Sequence, residues 1–123
     1  MSDEKLTVRL KTLMCFINDE DKYDDIFIKH KGKKIWPKDK KHEDVSVGNI
    51  DLNVIIPDLT PNEDLFLEIW DYDLLSANDL LGKVRMVPDR PGGPYTVDMT
   101  PISDKEMARY SIEWEILWPG QNL

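Results

Sequence analysis

The chain has one cysteine, two histidines and no long apolar run in its 123 residues, and each scarcity removes a class of protein. The single Cys15 cannot close an internal disulfide, and its place inside an apolar strand marks a buried, inert thiol. His30 and His42 have eleven residues between them in a lysine-rich segment without neighbouring cysteine, so a zinc site finds little support. No Ser-His-Asp or Cys-His arrangement is evident, and the expectation is a protein that is not an enzyme, with no catalytic residues. No apolar stretch approaches the roughly 18 residues of a membrane span, and the charged start Met-Ser-Asp-Glu-Lys is unlike a signal peptide. A cytoplasmic protein is expected. Helical periodicity is also missing: Ser103 to Ala108, where Ser-Asp-Lys-Glu resembles a capping box, supports one helical turn at most. There is no internal repeat, linker or low-complexity tract.

What is present is charge and alternation. The 24 acidic residues outnumber the 16 basic ones, for a net charge of −8. The excess is uneven. Lys29, Lys31, Lys33, Lys34, Lys38, Lys40 and Lys41 face only Asp39 between residues 29 and 42, so a basic strip interrupts an acidic body. A hydrophobic content of 41% with four Trp, four Tyr and three Phe suffices for an ordered core. At this length one domain is expected, 1–123, with its core at about residues 6–118.

Period-two alternation predicts strands along most of the chain. Leu6, Val8, Leu10, Met14 and Phe16 share one face of the first. The pattern returns at Ile26 and Ile28, around Ile35 and Trp36, at Ile50 to Ile56, at Leu65 to Ile69, at Val84 and Met86, at Tyr95 and Val97, and from Tyr110 to Trp118. Lys31-Gly32 fits a tight hairpin, Pro57-Asp58 and Pro61-Asn62 a loop, and Pro88 to Pro94 a rigid connection. Eight short antiparallel strands without helices imply an all-β sandwich of two sheets.

Aspartates then gather where strands end. Asp71 and Asp73 flank Tyr72 after Leu-Phe-Leu-Glu-Ile-Trp, Asp79 follows a five-residue excursion, and Asp19 and Asp25 bracket a similar excursion after the first strand. Any one of them reads as a turn cap. Five at paired spacings are different, because carboxylates about 4 Å apart repel by roughly 1 kcal/mol per pair in water and about 4 at an effective dielectric of 20. A hard cation that takes six to eight oxygens, calcium above all, would relieve the crowding. An EF-hand beginning at Asp71 is excluded, because it would need Gly at Ser76 and Glu at Gly82.

These residues resemble one family, the C2 domains, which are calcium- and phospholipid-binding sandwiches of eight strands. Trp70-Asp71-Tyr72-Asp73, five residues, then Asp79-Leu80-Leu81-Gly82 is similar to that family's strand ending in Trp/Tyr-Asp-x-Asp, with an Asp and an Ile/Leu-Gly after it. Tyr23-Asp24-Asp25-Ile26-Phe27-Ile28-Lys29 stands where the family has Ser-Asp-Pro-Tyr-Val-Lys-Val. Two departures are an Ile at 26 in place of Pro and no Asn-Pro-x-Trp segment near 45–49. The first strand leads into the Asp19 loop and a strong strand comes last, which resembles the permuted type II topology.

The resemblance implies calcium ligands at Asp19, Asp25, Asp71, Asp73 and Asp79, and calcium-dependent peripheral docking to anionic phospholipid membranes. Leu74 and Leu75, at the tip of the Asp73–Asp79 excursion, would enter the lipid interface or fold back onto the core. Lys29, Lys31, Lys33 and Lys34 fall where some members carry a basic patch, although lysines also protect edge strands. The alternative is a protein–protein interaction module within a larger assembly, with calcium structural or absent. Nucleic acid is a poorer partner, because the strip holds one aromatic, Trp36, and the acidic body opposes phosphate.

Overall fold

Residues 4–20 and 22–121 are described in a computed structural model. Ten strands run in chain order: β1 (Leu6–Ile17), β2 (Asp24–His30), β3 (Lys33–Trp36), β4 (Glu43–Val45), β5 (Gly48–Leu59), β6 (Leu65–Asp71), β7 (Asp79–Met86), β8 (Gly92–Asp98), β9 (Thr100–Pro101) and β10 (Arg109–Ile116). The eight expected strands are among them. The additions, β4 and β9, are three and two residues long, too short for alternation to reveal.

All pairings are antiparallel. One sheet has the order β5-β1-β10-β8 and the other β3-β2-β6-β7-β9, with β4 also on β2. The inner faces meet in one core that includes Val8, Leu10 and Ile112 from the first sheet and Ile26, Leu67 and Ile69 from the second. β10 lies beside β1, which leads into the Asp19 loop, as the permuted reading expects. Among the described residues there is no helix; residues 102–105 form a bend and a turn, and 106–108 are irregular.

The inward face of β1 departs from strict alternation. Leu6, Val8 and Leu10 are buried, but the register slips between Leu10 and Thr12 against both neighbours. The extra residue reverses the phase. Leu13 and Cys15 are therefore buried, while Met14 is half-buried and Phe16 is 57% exposed, contrary to the simple pattern. β10 keeps its phase through Ile116, after which the Leu117 N–H bonds the Thr7 carbonyl. Leu117 is buried and Trp118 is exposed.

Turn chemistry follows the residues. Lys31 and Gly32 both take positive φ, 52° and 78°, as the β2–β3 hairpin requires. Gly82 answers a different demand, close approach: a Cβ there would lie 2.4 Å from the Thr100 carbonyl oxygen and 2.6 Å from Met99 Cγ. Gly82→Ala is expected to push β9 off β7 and cost about 2 kcal/mol, in the range of overpacked cores. Urea denaturation measures it, and an unchanged midpoint would show that β9 yields freely.

Register fixes where the loops go. Ile17 pairs with Arg109, Asp24 with Val45 and Asp71 with Asp79. The segments 18–20, 22–23, 46–47, 72–78 and 102–108 therefore gather at one end of the sandwich.

Candidate metal centre

Asp24 and Asp25 begin β2, and alternation sends their side chains opposite ways. Asp24 is completely buried. Its Oδ2 accepts from the Tyr110 hydroxyl (2.5 Å), the Asp19 amide (3.0 Å) and Asn18 Nδ2 (3.2 Å), while Oδ1 accepts from the Glu20 amide (3.0 Å). A buried carboxylate with four donors is well satisfied. It holds Asn18, Asp19 and Glu20 in place and anchors them to the core through Tyr110, so this Asp is the frame of that turn. Sequence reasoning passed over it. The signal was the Asp-Asp doublet, which on a strand must put one carboxylate inside.

Asp25 faces the other way, half-buried. Its amide donates to Asp71 Oδ1 (2.9 Å) and its carbonyl accepts from the Tyr72 amide (2.7 Å), which ties the first aspartate loop to the second. Burial first, then the neighbouring Asp44 carboxyl, pushes the Asp25 carboxyl upward.

Asp71 is the most enclosed of the five, 4% exposed. Burial pushes its carboxyl from 3.8 to about 7; Asp24, Glu20 and Asp19 push the same way and the Asp25 amide pulls against them. Asp19 is half-buried and rises to about 6, mainly because it shares a hydrogen bond with Glu106, with burial and Asp24 adding to the shift. The structure thus gathers Asp19, Asp71, Asp24, Glu20 and Glu106 within electrostatic reach. Glu106 comes from the β9–β10 loop and has no sequence pattern to announce it.

Asp73 and Asp79 are exposed. Asp73 Oδ1 accepts from the Leu75 amide (2.9 Å) and Oδ2 from the Ser76 hydroxyl (2.7 Å); these bonds, the hydroxyl's foremost, pull its carboxyl below the usual range. Its own amide donates to Asn78 Oδ1 (2.8 Å). Asp73 therefore caps its own loop, and Asp79 stands across from Asp71 as its register partner. The five expected ligands share one end of the sandwich without converging as one tight cluster. Among the described residues, the metal-ligand side chains whose donor atoms all lie within 4.8 Å of one another are Asp25, His42 and Asp44.

Above the carboxylates, Leu74 and Leu75 are 80% and 94% exposed, so neither folds back onto the core. Tyr23, Val47 and Met107 are exposed in neighbouring loops of the same end.

The lysines sit elsewhere. Lys29 and Lys34 are cross-strand partners on β2 and the edge strand β3, and Lys33 pairs with His30. Lys29 Nζ lies 4.8 Å from the Trp70 ring centroid, Lys34 Nζ donates to the Lys40 carbonyl, and Lys31 occupies the hairpin turn. The strip follows a sheet edge, where it also discourages strand pairing with other chains. No helix among the described residues is long and apolar enough to cross a membrane.

No model of a known protein family matches the chain, and no curated protein sequence matches it. Solved structures do. A C2 domain of a plant extended synaptotagmin 1, the one lettered A, superposes with a TM-score of 0.56 at 15% identity, over 92% of this chain and 93% of that one. A structure described as a C2 domain superposes with a TM-score of 0.57 at 18% identity, over 92% and 99%. At such identities the likeness speaks for the architecture, and the fold of this chain is that of the C2 domains.

Proposed function

We propose that the protein is a calcium-binding C2-type module that docks peripherally to anionic phospholipid membranes through its two Asp-rich loops. One observation carries the reading: a crowd of carboxylates stands at one end of the sandwich, and among the described residues no lysine or arginine pairs with Asp19, Asp25, Asp71, Asp73 or Asp79. The ion pairs of lysine and arginine lie elsewhere, on Glu115, Glu43, Asp64 and Asp89. Asp19, raised to about 6 mainly by its hydrogen bond with Glu106, and Asp71, raised to about 7 mainly by burial, are both pushed further by neighbouring carboxylates.

The residues fit calcium by donor type, all oxygen. Asp71 and Asp25, already coupled through the Asp25 amide, would hold the inner side together with Asp19. Asp79 and Asp73 would supply the outer side. Asp73 has acceptor capacity to spare, because a carboxylate offers about four lone-pair positions. Bound calcium would offset the negative charge and offer open positions to phosphate or carboxylate oxygens of lipid headgroups. Without it the same carboxylates repel an anionic surface, so the loops act as an electrostatic switch.

Vesicle co-sedimentation tests this reading. Phosphatidylserine-containing vesicles should recruit the protein in calcium and release it in chelator, and phosphatidylcholine vesicles should recruit little in either. Equal recruitment to the anionic vesicles in calcium and in chelator would remove the switch, and no recruitment in either would favour the protein-interaction alternative.

A further inference from the structure

We propose that Asp25, His42 and Asp44 form a second cation site, suited to a borderline divalent ion of the zinc class, at the β2–β4 edge beside the aspartate loops. Asp25 and Asp44 are cross-strand partners, so their side chains leave the same face of the sheet. His42 comes just before β4, and its ring is stacked on Tyr72 with centroids 4.8 Å apart and planes 19° apart, which fixes its orientation.

The donor atoms already converge. His42 Nδ1 lies 3.3 Å from Asp25 Oδ1 and 3.9 Å from Asp44 Oδ1, and all three donors fit within 4.8 Å. A tetrahedral ion with bonds of about 2.0–2.2 Å separates its ligand atoms by roughly 3.3–3.6 Å. The Asp25 distance falls there, and the Asp44 side chain, 63% exposed, is free to close the remainder. Nδ1 itself is shut off from solvent and has no hydrogen-bond partner. A buried polar atom that faces two carboxylates unpartnered calls for a proton or a cation between them.

Donor chemistry separates this site from the aspartate set. Calcium takes oxygen donors, whereas an imidazole with two carboxylates suits zinc and leaves a fourth position for water. Asp25 belongs to both groups, but His42 and Asp44 lie outside the five, so the site stands whether or not the loops bind calcium. Occupancy would pin the segment before β4 against β2. Sequence alone hid the site, since His42 lies among lysines and its partners become neighbours only when β4 pairs with β2.

Isothermal titration of metal-freed protein with zinc chloride in calcium-free buffer tests the proposal. One equivalent should bind, and His42→Ala and Asp44→Asn should each weaken it at least tenfold. His42→Phe keeps a ring on Tyr72 and removes Nδ1, so the same loss there separates coordination from misfolding. Asp71→Asn with Asp73→Asn should leave zinc binding in place while removing the calcium-induced thermal shift. No saturable zinc uptake by the wild-type chain, or an affinity unchanged by both His42→Phe and Asp44→Asn, overturns the proposal.

Discussion

Asp71→Asn is expected to make the metal-free protein more stable above neutral pH and, in the same stroke, to abolish its stabilisation by calcium. The wild-type carboxyl titrates at about 7 in the fold against 3.8 for an ordinary carboxylate, because it is buried beside Asp24, Glu20 and Asp19. A folded-state value above the unfolded one means that the native protein holds the proton more tightly. The stabilising contribution is therefore complete below pH 3.8 and is lost as pH rises through about 7. Such a difference carries at most roughly 4 kcal/mol, and we expect about 2 after local relaxation. Asparagine keeps a carbonyl oxygen for the Asp25 amide and carries no charge, so it escapes that loss.

Calcium reverses the sign. Ligation needs the ionised carboxylate, so the wild-type protein should bind calcium more tightly at pH 7.5 than at pH 5.5, and should gain about 2.7 kcal/mol when calcium stands at a hundred times its dissociation constant. The variant should gain almost nothing. Thermal or urea unfolding at pH 5, 6.5 and 8, in chelator and in calcium, gives both halves of the test. Parallel stability–pH curves for the two proteins would refute the burial argument, and equal calcium stabilisation would refute Asp71 as a ligand.

The contrast between Asp71 and Asp73 shows where sequence reading reaches its limit. Strand-end spacing placed both at one end of the sandwich, because alternation and turn residues are local properties. It could not reveal that Asp71 is enclosed and proton-hungry while Asp73 is satisfied by the Leu75 amide and the Ser76 hydroxyl. That difference depends on which strands pack around each group. Glu106 was illegible for the same reason, since it reaches Asp19 from a loop far along the chain; for Asp24 the doublet shows that one carboxylate turns inward, but not that the sandwich brings Tyr110 over it. The bulge in β1 is a subtler case. A period-two pattern holds only while no residue is inserted, and Leu13 and Cys15 in the core with Phe16 outside are its consequence. By contrast, the alternations of β2, β6 and most of β10 could be read directly, because each strand buries one face along most of its length.

Leu74→Ala with Leu75→Ala is expected to weaken calcium-dependent binding to phosphatidylserine vesicles by roughly ten- to a hundred-and-fiftyfold while leaving the fold and lipid-free calcium binding unchanged. Both side chains are almost fully in water, at 80% and 94% exposure, so truncation removes no native packing and should change stability by less than about 0.5 kcal/mol. On a membrane the balance differs. Complete burial of a leucine stabilises by about 1.5–3 kcal/mol, and even half of that for each residue sums to about 1.5–3 kcal/mol, or the stated change in affinity. Ionic strength distinguishes this contribution from the lysines, which would add about 1 kcal/mol each near an anionic surface and fade as salt screens them. If the double variant binds vesicles as tightly as wild type while replacement of Lys29, Lys31, Lys33 and Lys34 abolishes binding, the sheet edge rather than the aspartate loops faces the membrane. Docking would then rest on the charge of those lysines alone and should weaken steeply with salt.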